Sequence, residues 1–196
     1  MFKDSKENFF IYNIFTENGF VEAYDLNGKR ALDIGCGKRK LKGALGIDKQ
    51  EESEADVVHD LNIFPWPLET NGFDIIIAQH ILEHLNDISK VMNEIYRVSK
   101  PHSILVIQAP YFRSVEAFTD LTHKHFFTVH SLDFLPSSKF KKKLLHLGGF
   151  RDSKNPFREI FKDFIYRYQD CYERYLSVLM PVRIVTWEFE VIKDLR

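Results

Sequence analysis

Gly35-Cys36-Gly37 follows directly on the apolar run Ala31–Ile34, and acids recur at Asp48 and Asp60, each where a later apolar run ends. Glycine at the end of a strand lets a bound molecule lie against bare backbone and tolerates the positive φ of a tight turn. A carboxylate ending the next strand can accept hydrogen bonds from both hydroxyls of a ribose. Asp60 is followed by Leu61, so an acid able to bond an adenine amino group stands beside a side chain able to pack on the ring. Gln79 and His80 end a further apolar run, and His84 comes one helical turn later. Asp120-Leu-Thr-His123-Lys-His125 adds two imidazoles suited to proton transfer near neutral pH. A glycine pair alone is weak evidence, and each acid alone serves equally well as a cap or turn residue. Their order, one acid at the end of each successive run, is what those uses leave unexplained.

These positions need a sheet to align them. Residues 31–34, 44–47, 55–58, 73–78 and 104–109 form nearly continuous apolar runs, as strands buried on both faces must. Ile88, Val91, Met92, Ile95 and Val98 fall on one face of a helix, which Lys100-Pro101 ends. Strands alternating with a helix make an α/β domain with a mostly parallel sheet. Residues 8–26 have helical spacing and form an N-terminal cap. Residues 139–147 fit a basic helix or a strand, with strand preferred, and Gly148-Gly149 closes either; residues 157–180 read as a long helix broken by Pro181, and residues 182–192 as a final strand. No repeat or linker divides the chain, so residues 1–196 form one domain: a cap (1–29), a cofactor-binding core (30–110), and a substrate-side loop, helix and final strands (111–196).

The connection between the first two strands is short. Only residues 38–43 are available for a crossover helix, and the dinucleotide fingerprint requires a third glycine and an acid roughly 20 residues further on. Here the third glycine is missing and Asp48 comes too soon. No GxxxxGK[ST] motif is present either. A cofactor without a pyrophosphate has no need of a phosphate-binding helix, and tolerates the short link.

At this point the chain resembles the class I S-adenosylmethionine-dependent methyltransferases, in particular the type 11 group. The likeness rests on LDIGCG (32–37), GID (46–48), HDLNIFPWP (59–67), FDIIIAQHILEHL (73–85) and EIYRVSKPHSILVIQAP (94–110), in unbroken order. It is similar above all to a small subfamily with a truncated first crossover, which extends the likeness to AFTDLTHKHFFT (117–128) and YERYLSVLMPVRIVTWEFEVIK (172–193). The resemblance implies a Rossmann-like, three-layer αβα fold with a C-terminal antiparallel strand, and S-adenosyl-L-methionine as cofactor. By position it places Asp33, Gly35, Cys36 and Gly37 along the methionine and ribose, Asp48 at the ribose hydroxyls, Asp60 and Leu61 at the adenine, and Gln79 and His80 beside the sulfonium. Two departures stand out. His102-Ser103 replaces the usual Gly-Gly, and without the first helix the methionine end must be held by another element, the 111–125 region or the N-terminal cap.

Methyl transfer from a sulfonium mainly requires positioning, with a base only where the nucleophile must lose a proton. His80, His123 and His125 are the candidate bases, while His84, at a helix start, is expected to pack or cap. Asp120, His123 and His125 match no standard zinc spacing and have no cysteine beside them, so no metal is expected. The expected acceptor is small or of saccharide type. A methyltransferase-like module that only binds or scaffolds is the alternative, motivated by the short crossover. The net charge of −1 makes no case for nucleic acid, and the basic runs 38–40 and 139–143 are solvated faces or guides for an anionic substrate. Two cysteines outside any framework, a charged N-terminus and no apolar run near the roughly 20 residues of a membrane helix lead to a cytoplasmic protein without membrane insertion. A homodimer is an open option.

Overall fold

The computed structural model describes residues 28–148, 164, 165, 167–179 and 181–193. The expected cap at 8–26 and residues 157–163, 166 and 180 of the expected long helix lie outside them. Within them seven strands form one sheet: β1 (Ala31–Ile34), β2 (Ala44–Asp48), β3 (Val57–Val58), β4 (Phe73–Gln79), β5 (Ser99–Pro110), β6 (Phe140–Gly148) and β7 (Ile184–Val191). Their spatial order is β3-β2-β1-β4-β5-β7-β6. Neighbours from β3 through β5 pair in parallel, and β7 runs antiparallel to both β5 and β6. This is the α/β, Rossmann-like sheet with a C-terminal antiparallel strand that the sequence led us to expect. Strand order reverses between β1 and β4, and a parallel sheet opens its ligand crevice at the carboxyl ends there.

Side chains alternate along β4. Ile75 and Ile77 face a small cluster with Ala31, Ala44 and Val106, whereas Ile76 and Ala78 face the main core. Over the main core lies α1 (Ile88–Val98), which buries Val91, Met92, Ile95 and Val98. Asp87 caps it by accepting a hydrogen bond from the Lys90 N–H. The helix ends at Ser99, where β5 begins, two residues ahead of Pro101.

Two strands differ from expectation in length. The run at 55–58 contributes only Val57–Val58, because Asp56 turns its carboxylate onto the Gly46 N–H and Lys40. At the other extreme β5 starts five residues early. Ser99 pairs with Phe73, the register shifts before Ile75, and His102 takes φ +59° inside that irregularity. The basic stretch 139–143 lies mostly on β6, an edge strand, with Lys141, Lys142 and Lys143 exposed. Lys142 pairs with Asp133, and Lys143 with Glu190 at 3.3 Å. Lysines on an edge discourage pairing with another chain.

Three shorter elements complete the crevice side. A 3-10 turn, Leu82–His84, follows β4; α2 (Glu116–Thr119) follows β5; and α3 (Gln169–Cys171) runs into a π-helical stretch, Tyr172–Leu176. The last is tied down by Glu173, whose Oε2 accepts from the Val129 N–H at 2.9 Å and the Tyr111 hydroxyl at 3.2 Å.

Candidate active site

Parallel strands ordinarily need a dozen or more residues between them, yet β1 and β2 are joined by residues 35–43 alone. Carboxylates replace the helix as hydrogen-bond acceptors. Asp33 Oδ2 accepts from the Leu41 N–H at 2.8 Å, Asp48 Oδ2 from the Gly37 N–H at 2.9 Å, and Asp56 Oδ2 from the Gly46 N–H at 2.7 Å. Two turns, Arg39 N–H to the Cys36 carbonyl and Ala44 N–H to the Leu41 carbonyl, supply the rest. Lys40 locks the arrangement by reaching both Asp56 oxygens at 2.9 Å. Leu41 packs against the small cluster on that sheet face. These bonds hold the link in place without a helix.

Gly35 opens the link at φ +69°, where a Cβ would lie 2.4 Å from Ile81 Cγ1. Only glycine fits that space and that angle. Its bare backbone borders a cavity of about 760 Å³, which Asp48, Asp60, Leu61 and His80 also line. Asp48 is buried, with the Gly37 N–H on Oδ2 and the Gln50 N–H on Oδ1 at 2.9 Å. Each oxygen keeps a second lone pair, so the carboxylate is fixed in place and can still accept two ribose hydroxyls. Asp60 takes the Asn62 N–H and side-chain amide on one oxygen, both at 2.9 Å, and the backbone bond holds its carboxyl below the usual range. Beside it the apolar Leu61 side chain supplies a packing surface. This donor and acceptor set fits the nucleoside part of S-adenosylmethionine.

Four residues placed at the cofactor by resemblance do not line this cavity: Asp33, Cys36, Gly37 and Gln79. Asp33 and Gly37 are engaged in the link itself, as described. Burial pushes the Asp33 carboxyl up to about 6, with Leu41 and Lys40 opposing and Asp48 adding to the rise. Cys36 lies buried over Gly46, where a Cβ would meet its Sγ at 2.8 Å. Burial, then the charges of Asp33 and Asp48, push its thiol up to about 12, so it stays protonated. Gln79 turns inward and bonds Gln108, which bonds Thr186.

The far wall comes from the 111–125 region, one of the two elements expected to replace the missing helix. Asp120, Leu121, Thr122 and Lys124 line the cavity opposite Gly35 and Asp48. The loop is pinned to the 3-10 turn: the Lys124 and His125 N–H groups donate to the Glu83 carbonyl at 2.7 and 3.3 Å, and Lys124 Nζ bonds Asn86. His125 Nε2 bonds the Leu85 carbonyl at 2.9 Å and lines neither cavity described here.

A second cavity, about 800 Å³, adjoins the first, and His80, His84, Asp120 and Leu121 line both. Its other walls include Glu83, Glu116, His123 and Arg183, with Glu116 and Arg183 paired. His80 sits at the seam with φ +51°, its N–H bonded to the Gln108 carbonyl. Asp120, His123 and His125 do not converge. His123 meets Glu83 and His84 instead. Sequence reasoning passed over Glu83 and Thr122; the signal for Glu83 was a charge set inside the apolar Ile81-Leu82-Glu83-His84-Leu85.

Residues 32–107 match the family model described as a methyltransferase domain. Among solved structures the chain is similar to an S-adenosylmethionine-dependent methyltransferase from Archaeoglobus fulgidus, with 19% identity, 95% of this chain and 100% of that one covered, and a TM-score of 0.60. Another from Mesorhizobium loti shares 13% identity over 89% of this chain and 100% of its own, with a TM-score of 0.56. One from Methanosarcina mazei shares 16% identity over 85% and 93%, also at 0.56. At these identities the likeness is one of fold. No curated protein matches the chain.

Proposed function

We propose that the chain, whose residues 32–107 match the methyltransferase-domain model, is a class I S-adenosylmethionine-dependent enzyme that methylates a hydroxyl of a small, saccharide-type acceptor. The link of residues 35–43 between β1 and β2 supports placing it, within the type 11 group, in the small subfamily with a truncated first crossover. The observation that carries this reading is the shared wall: His80, His84, Asp120 and Leu121 border both the nucleoside-fitting cavity and the second one. A methyl donor in one and an acceptor in the other would meet at His80. The second cavity is large enough for a sugar-sized molecule, and its Glu116, Asp120 and Arg183 suit a ligand rich in hydroxyls.

The cofactor, when bound, supplies a methyl group on a positively charged sulfur. Transfer would make one oxygen–carbon bond and break one carbon–sulfur bond, whose electron pair would leave sulfur neutral. The acceptor's proton goes to His80, whose half-exposed imidazole passes it to solvent. His123 lies on the acceptor side, so the chain's own part in the reaction is to hold the two reactants in line and to take one proton. The short crossover that motivated the scaffold alternative is held without a helix by the Asp33 and Asp48 carboxylates. Two cysteines far apart in sequence, one of them exposed, support a reducing, cytoplasmic setting.

The test is incubation with S-adenosylmethionine bearing a deuterated methyl group and a panel of free and nucleotide-linked sugars, read by mass spectrometry. The expected product is a singly methylated sugar, formed about 10²–10⁴ times more slowly by His80→Gln. Label appearing only in protein or nucleic acid would contradict the acceptor class.

A further inference from the structure

Glu83 is the group that neither the cofactor cavity nor the base accounts for. Its side chain is 1% exposed, and neither carboxylate oxygen has a hydrogen-bond partner among the described residues. His80 Nδ1 lies 3.4 Å from its Oε1. A buried carboxylate left in this condition calls for an unpaired positive partner.

Two imidazoles face it. Glu83, His84 and His123 offer ligand atoms that all lie within 4.8 Å of one another. Their outer hydrogen bonds set the tautomers. His123 Nδ1 lies 2.9 Å from the Ala117 carbonyl, which can only accept, so Nδ1 carries the proton and Nε2 the lone pair. His84 Nδ1 lies 2.8 Å from Thr122 Oγ1, whose own proton goes to Asp120 Oδ1 at 2.7 Å. His84 therefore also donates from Nδ1 and keeps a lone pair on Nε2. An imidazole whose other nitrogen donates to a carbonyl or a carboxylate relay is the usual state of a metal-binding histidine.

We propose that Glu83, His84 and His123 hold a divalent transition-metal ion, zinc or another ion that favours imidazole, at the seam between the two cavities. Two nitrogens and a carboxylate are a suitable donor set for such an ion, and three protein ligands leave a position open. Zinc–ligand bonds of about 2.0–2.2 Å bring tetrahedral ligand atoms to about 3.4 Å. Binding thus draws the three side chains inward by small torsional changes. The turn and the loop that carry them are already joined by the Glu83 carbonyl and the Lys124 N–H. The open position adjoins the acceptor cavity, where the ion would bind the acceptor oxygen and ease loss of its proton. That catalytic use rests on the function proposed above; the binding of the ion does not.

The experiment uses untagged, chelator-treated full-length protein titrated with Co²⁺ by visible absorption and with Zn²⁺ by calorimetry. One equivalent of each is expected to bind, with Glu83→Gln and His123→Ala each weakening affinity at least tenfold and His130→Ala leaving it unchanged. Zn²⁺ should raise the melting temperature of the wild type and not of Glu83→Gln, which on its own should melt higher than the metal-free wild type. Absence of saturable binding by the wild type, or equal binding by Glu83→Gln and His123→Ala, overturns the site. S-adenosylmethionine is titrated into the same samples. Cofactor binding without metal binding rejects the metal site and leaves the methyltransferase reading intact, and the converse does the opposite.

Discussion

Asp33 shows how a residue placed by motif can act through the backbone instead. Its carboxyl is buried beneath the β1–β2 link and titrates near 6 rather than 3.8. Between those values the folded state binds more protons than the unfolded chain, so stability falls as pH rises through the window. The full effect at neutral pH is a loss of about 3 kcal/mol at most. Asp33→Asn keeps an oxygen for the Leu41 N–H and has no titration, so chemical denaturation between pH 4 and 7 should show a flatter stability profile than the wild type. Equal slopes would show that Asp33 does not titrate in this window. Asp48, Asp60 and Leu61 line the cavity, Asp48 at the end of β2 and Asp60 and Leu61 just after β3. Cys36 and Gln79 did not, because only the fold shows which neighbour of a strand end points inward.

The short connection between β1 and β2 was readable as a gap, but what fills it was not. Its carboxylate acceptors come from positions 33, 48 and 56, each on or next to a different strand, and no local pattern links them to the backbone groups they bond. Gly35 is the hinge of this element. Gly35→Ala would drive a Cβ into Ile81 and force φ +69° on a residue that resists it. A loss of about 2–4 kcal/mol is expected in urea unfolding. His102 has a similar backbone, φ +59°, but compensates through a 2.8 Å bond between its ring and Glu190. His102→Ala gives up that bond and keeps the strained angle, and should cost about 1 kcal/mol; His102→Gly should be close to neutral. Equal losses from both would show that the backbone angle contributes nothing.

At the scale of the whole molecule the sheet order follows from strands buried on both faces and from crossovers that leave β1 and β4 in opposite directions. The parallel core was visible in its apolar runs. The joining of the 111–125 region to the 3-10 turn was not, since it rests on bonds spanning about forty positions, such as Thr122 to His84 and His125 to Leu85. The exposed lysines of β6 have their own consequence at this scale. Replacing Lys141 and Lys143 with valine removes the charges that guard the sheet edge, and light scattering should then show more self-association than the wild type. The enclosing of a nucleoside-fitting cavity between the short link and the loop is the feature on which the functional reading turns. Its most direct test is calorimetric titration of S-adenosylmethionine into the wild type and Asp48→Ala. Saturable one-to-one binding by the wild type, weakened at least tenfold in Asp48→Ala, is expected from the ribose hydrogen bonds that Asp48 can accept. No binding by the wild type at millimolar cofactor, or unchanged binding by the variant, would contradict it.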